Sequence, residues 1–405
     1  MKLIKYLGAS ALALALSSGI AMAADASNGP IKIGVLGDMS GVYSTGFSGP
    51  GAVAAVKMAV RDFGGKVLGR PIEVISADHQ NRADLASAIA RKWIDEDHVD
   101  MIADLTNSAV GLAVQKLASE KHVITMNSGA GTAALTGKAC TPYGIHYGYD
   151  TDALAKGTAS AVLAEGGKSW YFITANYAFG HALQASTSAV VEKNGGKVLG
   201  ASDAPLGTTD FSSYLIQAQS SGAQVVALAN AGEDAVNAIK QAHQFGLTSG
   251  GQKLAGMLIL VSDVRSIGVN VAKNLLFTVG WYWDMDPASR KWTAEYEAYS
   301  HGAAPTFPHA ADYSLTMAYL NAVKAAGTTD PDKVRAELGK APINDFFAQG
   351  GRIEANGLLV HNMYLLKVDQ GPDGVWDVAK VVRTIPGDVA YPSVAASGCK
   401  VVAPN

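Results

Sequence analysis

Short apolar segments alternate with amphipathic helical patterns along most of the chain. The first segment, at 31–36, precedes a helical pattern over 49–62, and the strand pattern at 72–76 precedes one over 82–97. Segments in which nearly every residue is apolar are typical of strands that helices cover on both faces. The pattern therefore predicts an α/β fold with doubly wound parallel sheets.

The alternation breaks at two places. Irregular sequence rich in glycine and tyrosine replaces a helix at 137–152, and the run Gly-Trp-Tyr-Trp-Asp at 280–284 does the same. A second series of strands and helices lies between the breaks and includes a predicted strand at 257–260. The tail predicts two antiparallel strands, at 358–368 and 376–382, around a turn that contains glycine and proline.

We interpret the two breaks as crossovers between two lobes. Residues 30–147 and 282–357 form the predicted lobe 1, and residues 148–281 and 358–405 form the predicted lobe 2. A chain of 405 residues also exceeds the size at which one hydrophobic core stops growing. Three interlobe crossings form a hinge, and ligands of doubly wound sheets bind outside the carboxyl ends of the strands. The cleft between the lobes is therefore the predicted binding site.

The N-terminus has the composition of a secretory signal. Lys2 and Lys5 precede an apolar run at 7–20, and the sequence Ala-Met-Ala at 21–23 fits the A-x-A cleavage pattern. We predict that residues 1–23 are a cleaved signal peptide and that the mature protein is a soluble monomer in the periplasm. An uncleaved membrane anchor is the alternative. No later segment reaches the roughly 20 uninterrupted apolar residues of a membrane span.

The charge composition argues against a nucleic-acid partner. The net charge is −3 and only 17% of the residues are charged. Binding to a phosphate backbone needs a clustered basic surface, which such a composition does not favour.

The two cysteines are Cys140 and Cys399, a spacing too wide for a zinc motif. In an oxidising compartment we predict that they form one disulfide, which ties the C-terminal tail to the first half of the chain. A pair of buried free thiols is the alternative. No metal or other cofactor is predicted.

Two small polar segments follow predicted strands and carry the candidate binding chemistry. The segment 127–132 reads Asn-Ser-Gly-Ala-Gly-Thr, and the segment 106–108 reads Thr-Asn-Ser. Glycine adopts left-handed backbone conformations easily, so consecutive N–H groups at 127–132 can turn towards one anion, beside the hydroxyls of Ser128 and Thr132. We therefore predict that the two segments face one crevice and bind a carboxylate.

The glycine cluster has two other interpretations. Gly129, Gly131 and Ala134 fit the G-x-G-x-x-A dinucleotide motif, with Asp150 at a suitable distance. That motif needs a helix directly after the glycines, and Gly137 leaves barely a turn for one. The cluster can also be a loop without a ligand.

Four stretches of sequence resemble those of a known family. They are Ile-Gly-Val-Leu-Gly-Asp-Met-Ser-Gly at 33–41, Gly-Arg-Pro-Ile-Glu-Val at 69–74, Ser-Gly-Ala-Gly at 128–131 and Tyr-Ala-Phe-Gly at 177–180. In this order, after a signal sequence, they resemble the type I periplasmic solute-binding proteins of the branched-chain amino acid class, which serve ABC importers. The resemblance spans essentially the whole mature chain and implies a two-lobed clamp that closes on a small carboxylate-bearing solute.

The resemblance also implies ligand contacts. In similar proteins, hydroxyl and main-chain N–H groups of lobe 1 hold the carboxylate, and an acidic residue of lobe 2 binds the amino group. Tyr43 is then a candidate wall of the cleft, and Asp263 matches the acidic residue, although it can equally be a helix cap. Asn230 stands where the family usually has a tyrosine, so that contact is lost or is taken over by Asn230. The implied carboxylate contacts are Asn107, Ser108, Ser128, Gly129, Ala130 and Gly131.

Aromatic residues at the crossovers are further candidates. Trp283, together with Trp281 and Tyr282, can stack on a flat ligand such as an aromatic acid, and Tyr149 lies beside Asp150 at the first crossover. Packing at the hinge is the alternative for both groups.

We therefore predict a periplasmic receptor that captures an amino acid, a related amide or an aromatic acid and delivers it to the permease of an ABC transporter. The sequence holds neither a G-x-S-x-G nor an H-E-x-x-H motif, so we predict that the protein is not an enzyme. A secreted α/β hydrolase acting on a small amide or ester is the alternative, and a ligand-sensing receptor domain would share the fold.

Overall fold

The computed structural model describes residues 29–372 and 374–401, and the predicted signal peptide at 1–23 lies outside this part of the chain. Within it, two parallel sheets are each covered by helices, and the chain passes between the two lobes three times. The predicted α/β class with doubly wound sheets and a three-crossover hinge is confirmed.

The first sheet is built from the N-terminal third of the chain. Its strands are β1 (Ile31–Gly37), β2 (Lys66–Val67), β3 (Arg70–Asp78), β4 (Met101–Asp104), β5 (Ile124–Asn127) and β6 (Gly144–His146). They lie in the order β2-β3-β1-β4-β5-β6, and every pairing is parallel except that of β2 with β3. All residues of β4 and β5 are buried, as expected of strands covered on both faces.

Helices cover both faces of the first sheet because its apolar side chains alternate between two clusters. Ile33 and Val35 of β1 belong to the cluster that includes α1 (Gly49–Phe63), whereas Leu36 belongs to the cluster of the two helices that follow. Those helices are α2 (Ala83–Asp95) and α3 (Ser108–Glu120). The carboxyl ends of the strands and the N-terminus of α3 therefore lie at the same edge.

The second sheet contains only parallel strands. They are β7 (Ser169–Ala175), β8 (Lys197–Ala204), β9 (Val225–Ala229) and β10 (Lys253–Gly256), in the order β10-β9-β7-β8. The helices of this lobe are α4 (Thr151–Leu154), α5 (Ser160–Ala164), α6 (Ala178–Lys193), α7 (Ser212–Ser220), α8 (Gly232–Gln244) and α9 (Val261–Ile267). A single π-helical turn, Ala155–Ala159, joins α4 to α5.

The predicted strand at 257–260 is wrong, because the strand of this region is β10, four residues earlier. Residues 257–260 are all buried and lead into α9. An unbroken apolar run signals burial, and here the burial comes from the position of the loop beneath the cleft.

The remaining elements connect the lobes and complete them. The strands are β11 (Leu276–Val279), β12 (Ile343–Asn344), β13 (Gln349–Ile353), β14 (Leu359–Val360), β15 (Met363–Val368) and β16 (Ala379–Ile385), and the helices are α10 (Pro287–Tyr299), α11 (Phe307–Ala326), α12 (Pro331–Lys340), α13 (Gly387–Ala390) and α14 (Val394–Ser397). Strands β15 and β16 are antiparallel, as the tail sequence predicts, although both begin later in the chain than expected. The crossings follow β6, follow β11 and precede β15.

The boundaries of the two lobes remain a proposal. Lobe 1 comprises residues 30–147 and 282–357, and lobe 2 comprises residues 148–281 and 358–405. Two packing relations support these boundaries. Helix α11 packs against α1 of the first sheet, and β15 pairs with β11 beside the second lobe.

The disulfide between Cys140 and Cys399 is present, with the two Cα atoms 5.7 Å apart. It joins the residues after α14 to the loop before β6, and the two cysteines are 259 residues apart in sequence. The predicted pairing is therefore confirmed, and the alternative of two free thiols is wrong.

None of the helices in the described part of the chain is both long and apolar enough to cross a membrane. No group of three or more histidine, cysteine, aspartate or glutamate side chains in residues 29–372 and 374–401 is arranged to hold a metal ion.

Candidate functional site

A narrow cavity, with about 10 Å³ open to water-sized molecules, lies between the lobes at the carboxyl ends of the strands. Lobe 1 contributes small and polar residues from the two loops that follow β4 and β5, and the second lobe contributes mainly aromatic and aliphatic side chains. The residues that line the cavity are Tyr43, Phe47, Thr106, Asn107, Ser108, Gly129, Ala130 and Gly131 on one side and Tyr149, Tyr177, Phe179, Ala231 and Leu258 on the other.

The first loop directs the N-terminus of α3 at this cavity. Asn107 caps the helix, since its side-chain oxygen accepts hydrogen bonds from the N–H groups of Ala109 (2.9 Å) and Val110. Ser108 Oγ accepts a hydrogen bond from the N–H of Thr132 (3.1 Å), which leaves the hydroxyl proton of Ser108 available. The N–H of Ser108 has no acceptor among the described residues. Helix α3 therefore offers two donors at its positive end.

The second loop has a different conformation from the one that the sequence predicts. Neither Gly129 nor Gly131 has a positive φ, so the predicted left-handed turn is wrong. The glycines serve close approach instead, because a Cβ on Gly129 would lie 2.0 Å from Thr106 Oγ1. The N–H groups of Ser128 and Gly129 donate to the carbonyl of Asp104, at 3.2 and 3.1 Å. In the described structure, Gly131 keeps an N–H group without a protein acceptor.

Ser128 lies behind the cavity rather than in its wall. Its hydroxyl donates to Asp312 Oδ1 (2.5 Å), and the side chain is fully buried. The sequence could not separate Ser128 from Ser108, because both are serines in small-residue loops after a strand.

Aromatic side chains bridge the two lobes across the cavity. The hydroxyls of Tyr43 and Tyr177 lie 2.6 Å apart, and Tyr149 donates its hydroxyl to the carbonyl of Gly129 (2.7 Å). Burial, followed by the adjacent Tyr177, raises the pKa of Tyr43 well above its usual value, so this hydroxyl keeps its proton. One proton of the Tyr43–Tyr177 pair forms the bond between them, and the other can be donated to a ligand.

Six of the residues that line the cavity were not assigned as ligand contacts from the sequence. Tyr177 and Phe179 belong to a stretch that carried the family resemblance, and Thr106 belongs to the predicted binding segment 106–108. The other three gave no local signal, since apolar residues are common near strand ends. The unassigned residues are Phe47, Thr106, Tyr177, Phe179, Ala231 and Leu258.

Besides Ser128, three candidate residues lie outside the wall of this cavity. Asp263 caps α9 by accepting a hydrogen bond from the N–H of Leu260 (2.9 Å), and burial raises the pKa of its carboxyl group to about 7. Trp283 lines a separate cavity with Trp376 and donates its indole N–H to the Trp376 carbonyl (3.1 Å). Asn230 precedes Ala231, which lines the cavity, and is 2% exposed. Within the described chain, neither polar atom of the Asn230 side chain has a partner.

None of the described residues that line the cavity carries a carboxylate. Asp263 is the acidic residue that the sequence suggested as a ligand contact. Its carboxylate instead accepts a hydrogen bond at the N-terminus of α9. The available groups are hydroxyl and main-chain donors on lobe 1 and aromatic rings on both sides. These groups can hold an anionic head and a flat apolar body.

Two doubly wound lobes joined by three crossings, with a cavity at the facing strand ends, define a two-lobed solute-binding protein. Residues 30–373 match the family of periplasmic binding proteins, and the chain belongs to this family. Proteins of this family bind solutes in the periplasm.

Three known proteins are similar to the chain over most of its length. A periplasmic binding protein from Burkholderia mallei is 49% identical, with a TM-score of 0.89, and the match covers 92% of this chain and 99% of that one. A branched-chain amino acid ABC transporter periplasmic ligand-binding protein from Burkholderia xenovorans LB400 is 37% identical, with a TM-score of 0.80 and 91% and 99% coverage. The Leu/Ile/Val-binding protein homolog 6 of Brucella melitensis is 26% identical over 85% of this chain and 89% of its own.

Proposed function

We propose that this protein is the periplasmic substrate-binding component of an ABC importer and that it captures a small carboxylate by closure of the two lobes. The observation that carries the proposal is the set of unoccupied donors on lobe 1. They are the N–H and hydroxyl of Ser108 and the N–H of Gly131. The similarity to the ABC transporter ligand-binding protein of Burkholderia xenovorans supports the transport role.

The electrostatics of the loops favour an anion. Ser108 is the first residue of α3, a helix of 13 residues, and the N-terminus of a helix carries a partial positive charge. A carboxylate has two oxygens, and each accepts more than one hydrogen bond. Three donors on two adjacent loops therefore match one carboxylate group.

The rest of the cavity favours a planar acid without an amino group. Rings of Tyr43, Phe47, Tyr149, Tyr177 and Phe179 line the space, and flat ligands stack well against such rings. An ammonium group would need an acidic partner, and the described wall of the cavity has none. We propose an aromatic monocarboxylate of the size of benzoate.

An amino acid is the second candidate, and Asn230 is the observation that favours it. Its side-chain oxygen is buried and has no partner in the described residues, so it could accept a hydrogen bond from an ammonium group. The amino-acid relatives named above support the same solute class.

Calorimetric titration and thermal shift with four compounds test this assignment. We expect benzoate to bind and to raise the melting temperature, whereas benzamide, which has the same shape without the charge, should not. Binding of leucine and phenylalanine but not benzoate would replace the aromatic acid with an amino acid. Binding of none of these acids would contradict the carboxylate proposal.

Replacement of Ser108 by alanine should weaken benzoate binding about 10-fold or more, because a hydrogen bond to a charged group contributes roughly 1.5–3 kcal/mol. The measurement is calorimetric titration of the mature protein. Ser87→Ala on α2 is the matched control, since the Ser87 hydroxyl donates only to the carbonyl of Ala83 on its own helix. Equal affinities for the two variants would remove Ser108 from the site.

A further inference from the structure

A buried carboxylate lies directly beneath the cavity and contacts its walls from inside the protein. Asp104, the last residue of β4, is fully buried. Its Oδ2 accepts a hydrogen bond from the hydroxyl of Ser48, and its Oδ1 accepts bonds from the N–H (3.2 Å) and the hydroxyl (2.5 Å) of Thr106. Both side-chain oxygens of Asp104 are therefore acceptors.

The main chain of Asp104 holds the second binding loop. Its carbonyl accepts the N–H groups of Ser128 and Gly129. The residue has a φ of 71°, in the left-handed region that a non-glycine residue rarely adopts. This backbone conformation has a cost, and it is maintained by the contacts on both sides of the residue.

Ser48 extends the contacts of Asp104 to a third loop. Besides donating to Asp104, the Ser48 hydroxyl accepts a hydrogen bond from the N–H of Asp38 (3.0 Å). The carboxylate of Asp38 in turn accepts the N–H groups of Gly41 (2.7 Å) and Tyr43 (2.9 Å). Asp104 is thus linked to the loop that carries Tyr43 as well as to the two carboxylate-binding loops.

A negative charge on the buried Asp104 side chain lowers the stability of the folded protein. Burial raises the pKa of Asp104 to about 7. The three hydrogen bonds from Ser48 and Thr106 oppose that rise, and the nearby carboxyl of Asp38 adds to it. Burial, and after it the Asp104 carboxyl, raises the pKa of Asp312. No lysine or arginine of the described chain forms an ion pair with Asp104. A buried carboxyl without a cationic partner reduces stability, and the hydrogen-bond directions at Ser48 and Thr106 require an acceptor at both oxygens.

We propose that Asp104 is the positioning residue of the binding site and that its carboxylate sets the geometry of the three loops that bind the solute. The inference deepens the proposed function. Its role is to hold the donors of Ser108 and Gly131 at the spacing of one carboxylate group. It does so through Thr106, which precedes the first donor, and through Gly129, which precedes the second.

Asp104→Asn tests the proposal, because asparagine keeps the shape and removes one acceptor. The amide nitrogen would face the Ser48 hydroxyl, so the Ser48 proton loses its acceptor while the Thr106 contacts remain possible. We expect benzoate affinity to fall about 10-fold, which is the effect typical of losing one hydrogen bond, here the bond from the Ser48 hydroxyl that helps to order the loops. The melting temperature of the ligand-free protein should stay the same or rise, because a buried carboxyl group without a cationic partner is removed.

Amide hydrogen exchange of the ligand-free protein gives a second readout that does not depend on the ligand. Peptides that contain residues 104–108 and 128–132 should exchange faster in Asp104→Asn, and peptides from the second lobe should not. Ser48→Ala should have the same effect and serves as a second variant if Asp104→Asn fails to fold.

Asp345→Asn is the matched control. Asp345 is half-buried and likewise accepts one hydroxyl bond, from Ser314, and two N–H bonds, from Phe347 and Ala348. It does not line the cavity. We expect it to leave benzoate affinity and the exchange of both loops unchanged.

Two results would overturn the positioning role. One is unchanged exchange of the loops in both Asp104→Asn and Ser48→Ala. The other is a fall in melting temperature with faster exchange throughout lobe 1, which would give Asp104 a general structural role. If the wild-type protein does not bind benzoate, the proposed ligand is wrong, and the exchange comparison still decides the role of Asp104.

Discussion

Replacement of Gly131 by alanine should reduce benzoate affinity by about 100-fold, because the added methyl group blocks closure of the lobes. A Cβ at this position would lie 2.8 Å from ring carbons of both Phe179 and Tyr149. Carbon atoms do not pack that closely, and overpacking of this kind costs roughly 1–3 kcal/mol. Phe179 belongs to α6 of the second lobe, so the clash with Phe179 arises only when the lobes close.

The measurement for Gly131→Ala combines calorimetric titration with small-angle X-ray scattering. The ligand-free variant should unfold at the wild-type temperature, and saturating benzoate should leave its radius of gyration at the open value. Gly339→Ala is the matched control, because a Cβ there meets only Arg335 Nη1, at an ordinary 3.4 Å. Compaction of the Gly131 variant at wild-type benzoate concentrations would contradict the closure mechanism.

The sheet architecture could be predicted because a strand that is buried on both faces consists almost entirely of apolar residues. The apolar segments at 31–36 and 225–228 each became a strand, since a strand in a doubly wound sheet has no polar face. The segment at 257–260 has the same composition and is a buried loop. Apolar composition reports burial reliably, and it reports the backbone conformation only when length and neighbours agree.

The binding loops show what local sequence leaves open. The position of the two small-residue segments was predictable from strand ends, but the role of the glycines was not. Gly129 is required for the approach of Thr106, a residue more than 20 positions earlier in the chain, rather than for its own dihedral angles. Such a requirement depends on which strands are neighbours, and this information is absent from the loop itself.

The contacts that the second lobe makes at the cleft were the least predictable from the sequence. Asp263 has the same sequence signature as a helix cap and as a ligand contact, and in the structure its carboxylate caps α9. Tyr177 contacts Tyr43 across the cleft, a pair separated by 134 residues. Contacts between lobes depend on the hinge geometry, which no periodic pattern in the chain encodes.

Removal of the disulfide should lower the free energy of unfolding by about 2–5 kcal/mol, the typical range for a native cross-link. The cysteines are 259 residues apart, so the bond restricts a large part of the unfolded chain. It also fixes the C-terminal residues after α14 to the loop before β6. We expect Cys140→Ser combined with Cys399→Ser to unfold at a lower guanidinium concentration in circular dichroism.

The wild-type protein in a thiol reductant is the control for the double variant, and the two unfolding curves should coincide. Without reductant, thiol titration of the denatured wild-type protein should detect no free cysteine. Benzoate affinity should be unchanged by the substitutions, because neither Cys140 nor Cys399 lines the cavity. An unfolding midpoint equal to that of the oxidised wild type would show that the disulfide contributes little to stability. The tail would then be held by its other contacts, such as the hydrogen bond from the Asn356 side-chain amide to the hydroxyl of Ser397 (3.4 Å).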